Sequence, residues 1–378
     1  PSALGTVALN RGLPRRVIKV GTSLLRGQAD RSTAAVIMDL AASIARAQRA
    51  GERMALVTSG AVGLGCGALG FTTRPNDLAS LQAAAAVGQG RLMALYQEAF
   101  AVRGLTVAQV LLTRADMASR RSYRRACLTL EQLLAWNVVP IGNENDTVAT
   151  EELRFGDNDT LSALLAVAIG AEELVLLTDV DRLYSADPRT DAEAVPITEV
   201  RDPAELARLQ SVAGGGGQWG TGGMTTKLRA ARIATASGIR VRLADGRDPA
   251  VLEALLAGAS VGTVFQPSDT PLPDRKGWLA HALVPSGTLV VDAGAAQALR
   301  QKGASLLAVG IQAVEGEFDR FASVRVVGLD GAEIGRGVCR LSSGDVRAIL
   351  GLGREEIRRR LGTDGGVVVH RDHMVLAA

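Results

Sequence analysis

Arg16-Val-Ile-Lys-Val-Gly-Thr-Ser23 reads as a short buried strand that ends in a glycine turn. Residues 32–50 then carry helical spacing, with Ser32 or Thr33 as the N-cap. Met54-Ala-Leu-Val-Thr58 is a second strand, broken by Ser59-Gly60. Outward from this unit the alternation repeats. Helix is expected over 76–103, with a break near Gly88–Gly90, then strand over Leu105–Leu112 and helix over Ser122–Trp136. Val138–Ile141 is a fourth strand, Thr160–Ile169 a helix and Glu173–Thr178 a fifth strand. Helix Lys227–Ser237 and strand Ile239–Leu243 close the series. The fold class is therefore α/β, with an open, mainly parallel sheet sandwiched by helices and right-handed crossovers. Ligands on such sheets sit beyond the carboxyl ends of the strands.

The texture changes near residue 267, where three prolines fall between Pro267 and Pro273. Short apolar runs bounded by Gly or Asp follow, at Gly287–Val291, Ser305–Val314, Ser323–Gly328, Glu333–Cys339 and Gly366–His370. That is an all-β pattern, so this 378-residue chain is expected to carry a second, small β-rich domain.

From Arg275 onward there are 14 basic and 11 acidic residues, which accounts for the whole net charge of +3. That excess is too small to argue for a nucleic-acid partner. Cys66, Cys127 and Cys339 form neither a disulfide framework nor a paired metal-ligand spacing, which favours a reducing, cytoplasmic compartment. No signal peptide and no membrane-spanning run is expected.

The chemistry-bearing residues cluster after the strands. Lys19 lies inside an apolar strand, where a lysine is costly unless an anion meets it; the plainer reading puts it at a solvent-facing edge. Thr58-Ser-Gly-Ala-Val-Gly63 offers backbone N–H groups and a helix N-terminus to an anion, a weak signal alone. Asn143-Glu-Asn-Asp146 and Gly156-Asp-Asn-Asp159 flank one loop. Either cluster alone fits turn and capping chemistry, but the density of both favours a polar-ligand site. Thr178-Asp179 ends the fifth strand, and Gly220-Thr-Gly-Gly-Met-Thr-Thr-Lys227 opens a helix as a phosphate cradle. This is not the P-loop pattern, because Leu228 follows the lysine.

Together these strings, with Leu-Leu-Thr-Arg-Ala-Asp116-Met and Val261-Gly-Thr, resemble the amino acid kinase family in order and spacing. Within it they resemble the members that phosphorylate the side chain of glutamate, and the C-terminal β segment looks like a PUA domain. The resemblance implies a kinase domain over 14–270, with glutamate bound by its N-terminal part and ATP by about 170–270. A linker over 271–283 and a PUA-like domain over 284–366 follow. It implies transfer of the ATP γ-phosphoryl group to the γ-carboxylate of L-glutamate, giving L-glutamyl 5-phosphate, the first step of proline biosynthesis.

Carried over position by position, Lys19, Lys227 and Asp159 are catalytic, with Asp159 orienting both lysines. Ser59, Asp146 and Asn158 hold glutamate. Lys19, Thr178, Asp179, Thr221, Gly222, Gly223, Met224, Thr225, Thr226 and Lys227 hold ATP, and the backbone of Gly21 and Gly60 meets the phosphoryl oxygens. Mg²⁺ accompanies ATP, with no side chain assigned to it. Further expectations are L-proline as feedback inhibitor, a homo-oligomer and association with glutamyl phosphate reductase, with no membrane partner. Two alternatives compete: a kinase for acetylglutamate, aspartate or a small phosphate, and an RNA-binding protein working through its PUA-like tail.

Overall fold

The computed structural model describes residues 13–26, 31–113, 116–117, 120–149, 158–186, 188, 191, 193–214, 223–271, 285–318, 320, 322–352, 354–361 and 366–376. Two compact units emerge, one of Pro1–Thr113 with Arg124–Asp274, the other of Arg114–Tyr123 with Arg275–Ala378.

The first unit is built on an eight-stranded sheet. Its strands are β1 (Arg15–Val20), β2 (Arg53–Val57), β3 (Val107–Leu112), β4 (Val139–Glu144), β5 (Glu173–Thr178), β8 (Glu199–Val200), β9 (Arg240–Asp245) and β10 (Thr263–Phe265). A separate hairpin pairs β6 (Leu183–Tyr184) with β7 (Pro196–Ile197). The order across the sheet is β3-β4-β2-β1-β5-β9-β10-β8, parallel except that β10 runs antiparallel to β9. β1 is therefore interior, with Lys19 opposite Val57 on one side and Leu176 on the other. An interior strand has no solvent edge, which removes the plainer reading of Lys19.

Helices cover both faces. They are α1 (Thr22–Leu25), α2 (Thr33–Arg49), α3 (Ala61–Ala68), α4 (Leu78–Ala101), α5 (Arg120–Ala135), α6 (Asn158–Ala168), α7 (Pro203–Gly214), α8 (Gly223–Ala236) and α9 (Pro249–Leu256). Their starts are written in the sequence. Ser32 Oγ accepts from the Ala35 amide at 3.2 Å, and Asp77 Oδ1 from the Ser80 amide at 2.8 Å. Asp248 caps α9, which has Pro249 at its first turn. One face buries Ile18, Ile37, Ile44, Leu56, Tyr96 and Phe100 in a common core. On the other, α6 is buried along nearly its whole length and packs on β1 and α8.

α4 runs unbroken through Gly88–Gly90, contrary to the expected interruption. The reason is a close crossing with α3. A Cβ on Gly88 would lie 1.7 Å from the Ala61 carbonyl oxygen, and one on Gly65 1.8 Å from that of Ala84. The glycines are there for helix contact rather than for a kink.

The second unit has its own six-stranded sheet, ordered β12-β16-β15-β14-β11-β13. Its strands are β11 (Gly287–Val291), β12 (Leu306–Leu307), β13 (Ile311–Glu315), β14 (Ser323–Gly328), β15 (Glu333–Cys339) and β16 (Val367–Leu376). Helices α10 (Ala293–Lys302), α11 (Ser343–Ile349) and α12 (Arg354–Leu361) accompany it, and Leu289, Val326, Ile334, Val346 and Val368 share its core. Because β16 pairs with β15 and β12, the β-rich unit extends beyond the expected boundary at 366.

Candidate active site

A cavity of about 590 Å³ opens where β1, β2 and β4 end, within the first unit. Its floor is an ion triad. Asp159, in the first turn of α6, lies 2.5 Å from Lys19 Nζ through Oδ1 and 3.5 Å from Lys227 Nζ through Oδ2. Lys19 is only 6% exposed and Asp159 only 2%. Thr226, one residue before Lys227 on α8, donates its hydroxyl to Asp159 Oδ2 at 2.7 Å. Burial pushes the Asp159 carboxyl up, but the two ammonium charges, with hydrogen bonds from Lys19 and Thr226, outweigh it. The carboxyl therefore titrates below its ordinary range. Two cations share one anion, so the floor has a net positive charge to offer.

Glycines leave the space beside both ammonium groups open. A Cβ on Gly21 would stand 3.7 Å from Lys19 Nζ, and one on Gly223 would stand 3.8 Å from Lys227 Nζ. Lys227 also donates to the Gly223 carbonyl at 3.1 Å. Gly60 starts α3 in the left-handed region, φ 101°, a conformation that strains any residue with a Cβ.

The second wall is a polar net. Asn158 donates through Nδ2 to the Thr58 carbonyl (2.6 Å), Ser59 Oγ (2.9 Å) and Asn143 Oδ1 (2.9 Å). Asn143 in turn donates to Gln89 Oε1 at 2.8 Å, which links the net to α4. Asn143 and Glu144 lie in β4 itself, not in the loop after the expected strand end at Ile141. Beneath, the Thr58 and Tyr96 hydroxyls share a buried 2.8 Å hydrogen bond.

Residues 14–245 match the amino acid kinase family, and residues 287–361 match the PUA domain. This chain belongs to the amino acid kinase family. Among its relatives, the glutamate 5-kinase of Prochlorococcus marinus strain MIT 9313 is 57% identical over 95% of this chain and 98% of that protein. The glutamate 5-kinase of Synechococcus sp. strain CC9902 is 58% identical over the same shares. A solved carbamate kinase from Giardia lamblia, 19% identical, covers 68% of this chain and 100% of its own at a TM-score of 0.49.

In this amino acid kinase the cavity brings together Lys19, Ser59, Gly60, Asp146, Asn158, Asp159, Gly223, Thr226 and Lys227. Met224 and Thr225 sit in the first turn of α8, half-buried and off the lining. Thr178 is buried at the end of β5, and its hydroxyl donates to Asp179 at 3.1 Å; neither lines this cavity. Thr221 and Gly222 lie outside the described residues, as do Gly156 and Asp157. The lining also contains residues to which the sequence assigned no site role, among them Arg26, Cys66 and the Phe71–Arg74 segment. The signal for that segment was faint: two hydroxyls and an arginine between a helix end and Pro75. No helix among the described residues is long and apolar enough to cross a membrane.

Proposed function

We propose that this chain phosphorylates the γ-carboxylate of L-glutamate with ATP, forming L-glutamyl 5-phosphate at the entry to proline biosynthesis. The observation that carries the reading is the Lys19–Asp159–Lys227 triad on the floor of a cavity whose other wall is the Asn158 net. The 57% identical relative bearing the name glutamate 5-kinase supports the choice of acceptor.

A carboxylate of pKa about 4.3 is ionised at neutral pH, so no general base is required. One γ-carboxylate oxygen attacks the γ-phosphorus, the bond to the β,γ-bridging oxygen breaks, and ADP leaves with the electron pair. No proton moves. The obstacle is charge: an anion must approach a polyanion. Catalysis is then positioning and neutralisation. Lys19 and Lys227 take the charge of the transferring group, and Asp159 fixes their spacing. Gly21, Gly60 and Gly223 leave room for phosphoryl oxygens beside the backbone. Ser59, Asp146 and Asn158 hold the amino acid, and Thr178, Asp179 and the 221–227 segment serve the nucleotide. Magnesium arrives bound to ATP as part of that substrate.

A cytoplasmic location, a homo-oligomer, feedback by L-proline and association with glutamyl phosphate reductase belong to this proposal. The PUA match makes RNA a candidate ligand of the second unit, which a salt-dependent shift assay on the full chain tests. The main experiment follows ADP release with ATP, magnesium and L-glutamate, trapping the acyl phosphate with hydroxylamine as the γ-hydroxamate. Preference for aspartate or N-acetylglutamate over L-glutamate overturns the assignment.

A further inference from the structure

We infer that Arg74 is the counter-charge for the α-carboxylate of the amino-acid substrate, and so determines specificity for an acceptor whose α-carboxylate is free. The inference rests on the glutamate reading above. Glutamate brings three charged groups into the cavity. Its γ-carboxylate must face the phosphoryl donor, and its ammonium group suits the carboxylates of Glu144 or Asp146 on the lining. The α-carboxylate then needs a cation. The lining supplies four: Lys19, Lys227, Arg26 and Arg74.

Three of these are placed elsewhere. Lys19 and Lys227 are tied to Asp159 at the phosphoryl end. Arg26 caps α1, the single turn that follows Gly21, so it belongs to the side where Gly21 borders the Lys19 ammonium. Arg74 comes from a different element, the segment that follows α3. Its segment leaves α3, the helix that starts beside Ser59, and ends at Asp77, the cap of α4. Both ends are tied down, by Phe71 N–H donating to the Cys66 carbonyl at 2.9 Å and by Asp77 accepting from Ser80. Thr72 and Thr73 line the cavity next to Arg74 and add hydroxyl donors. Arg74 has no hydrogen bond or ion pair among the described residues, so its guanidinium fork is available to a carboxylate.

The test compares L-glutamate with its α-amide, which keeps the γ-carboxylate and the ammonium group but loses the α-charge. Wild-type enzyme, Arg74→Ala, Arg74→Lys and Arg26→Ala are assayed with both acceptors. The expected result is a KM for L-glutamate raised roughly 10–100-fold in Arg74→Ala. The KM for the α-amide and for ATP stays within about twofold, and Arg74→Lys recovers part of the loss. Because the ATP and α-amide values report an intact site, a folding defect cannot mimic this split. Equal effects on both acceptors, no effect on either, or the split appearing in Arg26→Ala overturns the inference. A wild-type enzyme that leaves L-glutamate untouched overturns the substrate reading instead.

Discussion

Asp159 Oδ1 lies 2.5 Å from Lys19 Nζ, and the pair sits on an interior strand and a buried helix turn with almost no exposure to solvent. Removing one partner of such a pair leaves an uncompensated buried charge, at a cost of about 3–5 kcal/mol. Asp159→Asn is therefore expected to lower stability by that order and kcat by roughly 10²–10³-fold. Lys227→Ala, at a more accessible position, should reduce kcat strongly with a smaller stability loss. Urea unfolding and single-turnover phosphoryl transfer measure the two effects separately.

The same carboxyl sets a pH dependence. Its folded-state pKa lies below the ordinary 3.8. Stability from the depressed pKa is therefore fully present above the unfolded pKa of about 4, and is lost as pH falls through the folded value. The stability gap between wild type and Asp159→Asn should be flat from about pH 7 to 5 and shrink below about pH 4. Urea midpoints across that range check it; a gap shrinking already at neutral pH would exclude Asp159 as the group.

Glycines in the α3–α4 crossing separate into two kinds. Gly88→Ala would drive a methyl group into the Ala61 carbonyl, whereas a Cβ on Gly90 meets nothing within 4 Å. Gly88→Ala is expected to destabilise by about 3 kcal/mol or more. Gly90→Ala should stabilise by about 0.5–1 kcal/mol through helix propensity. Thermal melts of the two variants should move in opposite directions.

Asn158 sends one amide nitrogen to three oxygen acceptors. Asn158→Asp would turn that donor into a negative charge facing the same oxygens and the acceptor carboxylate. It should raise the KM for L-glutamate more than Asn158→Ala does, by roughly tenfold or more, with the KM for ATP changed less. The reverse pattern would exchange the two subsites.

Residues 1–272, which keep the Arg114–Tyr123 segment of the second unit but lose its Arg275–Ala378 part, should fold and phosphorylate L-glutamate, because every proposed catalytic position precedes the cut and each unit has its own core. Circular dichroism and ADP release on the fragment are the measurements. A folded but inactive fragment would implicate the β-rich unit in the reaction.

Local signals carried most of this architecture. Ser32 as a cap and the runs at Gly287, Ser323 and Glu333 were legible because short-range chemistry decides them. Lys19 was legible as an anomaly, a charge in an apolar run; its partner Asp159, 140 residues away on another element, was legible only through the family resemblance. The unbroken α4 was not legible, since only a second helix explains its glycines. Nor was the extension of β4 through Asn143 and Glu144, where pairing with β3 overrides the turn preference of asparagine. Arg74 was not legible as a site residue, because an arginine before a proline is common on any surface; only its place on the cavity lining marks it.

The backbone-to-backbone seam between α3 and α4 has one more consequence. Side chains at a helix contact can change rotamer and let the helices shift; glycines cannot. α3 is pinned, with Gly60 at one end and the Phe71–Arg74 segment after the other. On the proposed assignment, the distance between the point that grips the amino acid and the point that meets the phosphoryl group is thus a fixed ruler. An acceptor one methylene shorter falls short by about 1.3 Å, and the glycine contact gives α3 no side chain to repack to close the gap.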